Sequence, residues 1–183
     1  MNLPNKLTVL RMILVPFFIF FLLTDIVPVS KLIALIVFAV ASATDAVDGH
    51  IARSRGLVTT FGKFLDPLAD KILVISALVC FIQLGLCGAV PVLIIIAREF
   101  MVSGLRLVTA DKGVVVPANI WGKLKTAFTM VSIVFILLML ALGITAAWAD
   151  IARPVLIWIS AVLTVISGWT YLNAYKGYIN SDK

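Results

Sequence analysis

The sequence predicts an all-α integral membrane protein of six transmembrane helices, on three observations. Mean hydropathy is +1.15. Only 13% of the 183 residues are charged, against about a quarter in ordinary globular chains. The apolar residues fall into six long runs, at about 7–24, 31–52, 64–84, 90–110, 126–143 and 151–174. None alternates polar and apolar residues as barrel strands do, which leaves helices as the way to cross a bilayer. At roughly 20 residues per span, six helices use most of the chain, so residues 1–183 are expected to form a single membrane domain.

The first run follows Met1-Asn-Leu-Pro-Asn-Lys6 and contains Arg11. A secretory leader has a similar layout, but no small-residue cleavage site follows and the apolar part exceeds an ordinary leader's. A retained first helix is expected. The second run ends in a group of acids and the third opens on another. Cys80 and Cys87 lie within or just after the third run. With no second thiol pair and one histidine in the chain, they read as membrane-buried cysteines rather than zinc ligands or a disulfide. The fourth run contains Arg98 and Arg106, a loop over 111–125 carries Lys112, Lys123 and Lys125, and the fifth and sixth runs complete the bundle.

Orientation follows from the basic residues. With six spans, thirteen Lys and Arg fall on the side of the N-terminus and the 53–63 and 111–125 loops, while Lys31 and Arg153 fall opposite. That bias puts the thirteen in the cytoplasm. The formal net charge of +6 then reads as a basic inner face suited to anionic lipids or phosphorylated substrates. Most single Lys and Arg are accounted for as topology determinants alone. Nucleic acid is not an expected partner.

Function is read from the acids. Of nine acidic residues, four stand within 26 positions, in Asp45-Ala-Val-Asp48-Gly49-His-Ile-Ala52-Arg53 and Gly62-Lys-Phe-Leu-Asp66-Pro-Leu-Ala-Asp70. An Asp at the bilayer centre costs about 2.5–3.5 kcal/mol on insertion scales, so such groups face a partner, a cavity or a metal. On a helix Asp45, Asp48, Gly49 and Ala52 share one face, as do Asp66 and Asp70. Pro67 suits a helix's first turn. Four converging carboxylates without a cation would repel, and some would stay protonated. Hard divalent ions such as Mg²⁺ relieve that conflict and prefer oxygen ligands. Paired ions could clamp the attacking and leaving oxygens of a phosphoryl displacement. A lone intramembrane Asp is as readily a helix–helix hydrogen bond, but four at this spacing beside small residues point to a metal cage. Arg53 is suited to an ion pair or phosphate, and His50 is given no role.

These residues resemble the CDP-alcohol phosphotransferases, whose D-x-x-D-G-x-x-A-R-x8-G-x3-D-x3-D pattern is filled at Asp45, Asp48, Gly49, Ala52, Arg53, Gly62, Asp66 and Asp70. Softer features resemble family members that use glycerol 3-phosphate: Asn-Leu-Pro-Asn5-Lys-Leu-Thr8-Val-Leu-Arg11, Leu65-Asp66-Pro-Leu-Ala-Asp70-Lys71, Ile96-Ala-Arg98-Glu99 and Gly122-Lys123-Leu-Lys125-Thr126. The resemblance implies the family's six-helix fold and a transfer of the phosphatidyl group from CDP-diacylglycerol to glycerol 3-phosphate, releasing CMP. It implies two divalent cations, Mg²⁺ or Mn²⁺, with Asp45 and Asp66 bridging them, Asp48 completing one site and Asp70 the other. Asp70 would also be the base. Gly49, Ala52, Arg53, Thr59 and Gly62 would line the CDP-diacylglycerol site, closed by Asn5 and Thr8. It further implies a homodimer among membrane lipids in a bacterial plasma membrane, with the active site facing the cytoplasm.

The acceptor carries a phosphate, so a basic pocket is expected beside the metals, with Arg98, Arg106, Lys123 and Lys125 as candidates. Arg98 and Arg106 stand two turns apart and can point into one cavity, and Arg grips phosphate bidentately. Two alternatives stay open: the same chemistry on inositol phosphate or serine, and a small cation channel or transporter. The inverted repeats and broken helices common in transporters are missing from the sequence. Release of CMP separates the two classes.

Overall fold

The computed structural model describes the backbone of residues 3–55, 60–111 and 119–179, with side chains across residues 45–68 and at several other positions outside the described set. Every described element is helical: α1 (Leu3–Leu23), α2 (Ser30–Arg55), α3 (Thr60–Gln83), α4 (Ala89–Asp111), α5 (Ile120–Ala141) and α6 (Ala147–Ile179). Six helices match the six apolar runs. By length and composition three qualify as membrane spans: Lys6–Leu23, Ile120–Ala141 and Ala147–Ala174. The apolar stretches of α2 and α3 are shorter, Ser30–Thr44 and Lys71–Gln83, and Arg98, Glu99 and Arg106 interrupt α4.

Two helices run past their apolar segments. α5 begins at Ile120, so Lys123 and Lys125 sit in its opening turns rather than in the expected 111–125 loop. Asn119 stands at the cap position, its carbonyl accepting from the Lys123 N–H at 3.1 Å. α6 likewise starts before residue 151 and continues beyond 174.

The described residues form two compact units. In the first, Met1–Gly85 with Ile133–Ala149, α1 packs against α2 and α3. The core is apolar and tightly closed: Phe18, Leu22, Ala34, Phe38, Ala41, Ala69, Ala77, Leu78 and Phe81 have no exposed surface. Phe18 and Phe38 rings meet at 5.5 Å. Lys31 ties the α1–α2 turn, donating to the Leu22 carbonyl at 2.7 Å and pairing with Asp25 at 3.0 Å. A cation at a helix C-terminus is favoured by the unsatisfied carbonyls there. The 22–31 and 18–38 contacts make α1 and α2 antiparallel. α5 ends at Ala141, and two residues on, at Gly143, φ is +64°. The Ile144 N–H reaches the Met139 carbonyl and the Gly143 N–H that of Leu140. This left-handed closure favours glycine.

The second unit is Leu86–Ser132 with Asp150–Lys183. Here side chains of α4, the start of α5 and α6 meet through polar groups. Gly122 on α5 faces Tyr171 on α6, with a Cβ there lying at ordinary contact distance, 3.5 Å, from the ring.

Candidate functional site

The acid motif falls on two helices of the first unit. Asp45, Asp48, Gly49, Ala52 and Arg53 lie on α2, and Gly62, Asp66 and Asp70 on α3. Their side chains, and those of Asn5 and Thr59, lie outside the described residues. Among the described residues no group of three metal-ligating side chains occurs. The helical assignment fits what a metal cage needs of these positions. Each Asp pair stands about one turn apart on a continuous helix, and its donors are all hard oxygens, the set that suits Mg²⁺ or Mn²⁺.

Thr8 is fully buried on α1, and Arg11, counted in the sequence among the topology residues and in the opening segment of the family resemblance but given no site role, is 1% exposed on the same helix face. Thr8, Arg11, Val15, Phe18 and Leu22 repeat at spacings of three and four, which puts them on the face that packs inward. That periodicity was visible in the sequence and would have flagged Arg11.

The basic candidates separate into used and unused residues. Arg98 on α4 is 8% exposed and Lys125 on α5 is 7% exposed. Both meet Glu99: Arg98 Nη1 lies 3.1 Å from Oε1, and Lys125 Nζ is ion-paired with the same oxygen. Arg98 Nη2 donates to Ser167 Oγ on α6 at 2.6 Å. Its Nε is buried and has no hydrogen-bond partner among the described residues. The Arg98 stem crosses α6 at Gly168, where a Cβ would come within 3.1 Å of Arg98 Cγ. On one flank Arg98 borders a cavity of about 350 Å³ whose other lining residues include Ile94, Met101, Val165, Trp169 and Leu172. Such apolar surroundings strengthen electrostatic attraction relative to water.

Arg106 reaches the same neighbourhood through Tyr171. Its Nη2 donates to Tyr171 Oη at 2.8 Å. The Arg98 and Arg106 guanidinium carbons lie 5.4 and 5.5 Å from the Tyr171 ring centre. Lys123 is exposed and forms no ion pair among the described residues. Two residues apart on a helix, Lys123 and Lys125 point to different faces, so only Lys125 can turn inward. The structure thus joins Arg98, Arg106 and Lys125 and leaves Lys123 outside.

The sequence reading missed the α6 side of this cluster. Ser160, Thr164 and Ser167 are fully buried and Tyr171 is 2% exposed. Their i, i+4, i+7, i+11 spacing on an otherwise apolar helix is the signal that marks a buried polar stripe.

A helical chain with paired aspartates on adjoining helices and a buried basic cluster defines a class of phosphoryl-handling membrane proteins. The chain belongs to the CDP-alcohol phosphatidyltransferase family, whose profile matches residues 1–166. It is 43% identical to the CDP-diacylglycerol–glycerol-3-phosphate 3-phosphatidyltransferase of Bacillus subtilis (strain 168), over 94% of each chain. It is 39% identical to the protein of that name from Rickettsia bellii (strain RML369-C), over 97% of each. A probable phosphatidylglycerophosphate synthase of Mycobacterium tuberculosis (strain CDC 1551 / Oshkosh) is 38% identical, over 93% of this chain and 80% of that protein.

Proposed function

We propose that this protein transfers the phosphatidyl group of CDP-diacylglycerol to glycerol 3-phosphate, giving phosphatidylglycerol phosphate and CMP. Family membership and near-full-length likeness to relatives bearing that name support the reaction. The observation that carries the acceptor assignment is Arg98: a buried guanidinium whose Nε has no hydrogen-bond partner among the described residues, beside Lys125 and Glu99. A buried donor left unsatisfied is costly, and an anionic acceptor phosphate is a partner that removes the cost. Such a subsite disfavours serine, which has no phosphate.

Asp45, Asp48, Asp66 and Asp70 hold two divalent cations, Mg²⁺ or Mn²⁺, which when bound supply stabilisation of the negative charge developing on the pyrophosphate and departing CMP. Thr8 and Asn5 on α1, with Gly49, Ala52, Arg53, Thr59 and Gly62, orient the CDP head. Arg98, Arg106 and Lys125 hold the acceptor phosphate, Arg98 and Lys125 from buried positions and Arg106 from an exposed one, and Lys123 extends the basic surface beyond them. The acceptor hydroxyl oxygen attacks the phosphatidyl phosphorus, the bond from that phosphorus to CMP breaks, and Asp70 takes the hydroxyl proton. A base needs only hydrogen-bond reach of that hydroxyl. The chain spans a bacterial plasma membrane six times with this face to the cytoplasm, as the thirteen-to-two basic bias requires, and works as a homodimer.

The test is an acceptor panel with purified protein and labelled CDP-diacylglycerol. CMP release should depend on glycerol 3-phosphate and stop with EDTA. Release driven better by inositol phosphate or serine would overturn the acceptor, and no release with any acceptor would overturn the reaction.

A further inference from the structure

On α6 the four buried polar side chains divide by partner. Ser160 and Thr164 donate to the carbonyls four residues back, Leu156 at 3.0 Å and Ser160 at 2.7 Å. Ser167 and Tyr171 instead turn to α4, each accepting from a different arginine. Tyr171 also accepts from the Asn119 N–H at 3.0 Å, and Asn119 Nδ2 donates to Thr170 Oγ1 at 3.0 Å. The phenol oxygen is therefore fixed from two sides, by the α5 cap and by Arg106.

Arg98 and Arg106 are eight residues apart on α4, about 12 Å along the axis at 1.5 Å per residue. Two like charges on flexible stems have no reason of their own to gather at one group, and long side chains lose entropy when they do. The Tyr171 ring supplies the reason. Its negative face attracts both guanidiniums, and its hydroxyl fixes Arg106 by direction. Gly168 opens the space, since a Cβ there would lie 3.1 Å from Arg98 Cγ.

We infer that Tyr171 is the positioning residue of the acceptor-phosphate subsite, holding Arg98 and Arg106 at a set spacing so that one phosphate can engage both. The inference rests on the proposed acceptor reading. Tyr171 does not itself touch the acceptor. It pre-orders two side chains that would otherwise be ordered at the expense of acceptor binding.

Tyr171→Phe keeps the ring and removes the hydroxyl. The expected result is an acceptor KM raised about tenfold, equal to about 1.4 kcal/mol, with kcat and the CDP-diacylglycerol KM within about twofold of the parent. In an Arg106→Ala background the same change should add nothing to the acceptor KM, because the group it positions is gone. Binding of glycerol 3-phosphate, read as the rise in unfolding temperature it produces, should fall in Tyr171→Phe, a readout independent of turnover. An unchanged acceptor KM in Tyr171→Phe, where Arg106→Ala raises it, overturns the inference and leaves Tyr171 a packing residue. An unchanged acceptor KM in both Arg98→Ala and Arg106→Ala overturns the acceptor subsite itself.

Discussion

Lys125 on α5 and Arg98 on α4 converge on a single carboxylate oxygen of Glu99. Two buried cations thus share one largely buried anion. An isolated buried ion pair is weak evidence of stability. Here the sharing is more informative, because it brings cationic side chains from two helices to one point.

The first prediction concerns that cluster. Arg98→Ala or Lys125→Ala should raise the KM for glycerol 3-phosphate more than that for CDP-diacylglycerol, by roughly tenfold or more given the ~1.5–3 kcal/mol of a hydrogen bond to a charged group. Lys123→Ala, at an exposed position, should leave both constants close to the parent. Steady-state kinetics with each substrate varied in turn decide this, and unchanged acceptor kinetics in both buried variants would discard the pocket.

Glu99→Gln removes a carboxylate that two buried cations share. Breaking a buried pair from one side costs about 3–5 kcal/mol, scaled down here because the Glu99 side chain is 18% exposed. The detergent-solubilised variant should unfold at a lower temperature. Adding Lys125→Met should restore part of the loss, and a double variant no more stable than Glu99→Gln would refute the charge argument.

Gly168→Val places atoms where the Arg98 stem now lies, since even a Cβ would stand 3.1 Å from its Cγ. Overpacking of this kind costs about 1–3 kcal/mol. The acceptor KM should rise as the guanidinium leaves Ser167, while CMP release at saturating acceptor persists. Wild-type acceptor affinity in a folded Gly168→Val protein would show that the Arg98 path is not needed.

Asp70→Asn should abolish transfer while the protein stays folded and still binds CDP-diacylglycerol. Donor binding measured alongside turnover separates loss of the base from loss of the site. Full activity in that variant would remove the assignment. Chelation should stop the parent enzyme, and added Mg²⁺ or Mn²⁺ should restore it.

Much of this was legible in the sequence, for a physical reason. Apolar length reports a helix in any membrane protein, so six apolar runs announced six helices. The four aspartates stood out because carboxylates are scarce in an apolar chain. Helix ends were less legible: Lys123 and Lys125 looked like loop residues because hydrophobicity starts after them, whereas α5 begins before them, at Ile120.

By itself, then, the sequence determined the all-helical class, the acid motif and the list of cations available to meet a phosphate, because composition and periodicity are local properties. Only the tertiary structure decided which cations act together. Lys125 turns inward to Glu99 while Lys123 faces out, and Arg98 and Arg106 both meet the ring of Tyr171, sixty-five residues beyond Arg106. A pairing across helices depends on which faces pack, and no spacing along a single helix contains that information.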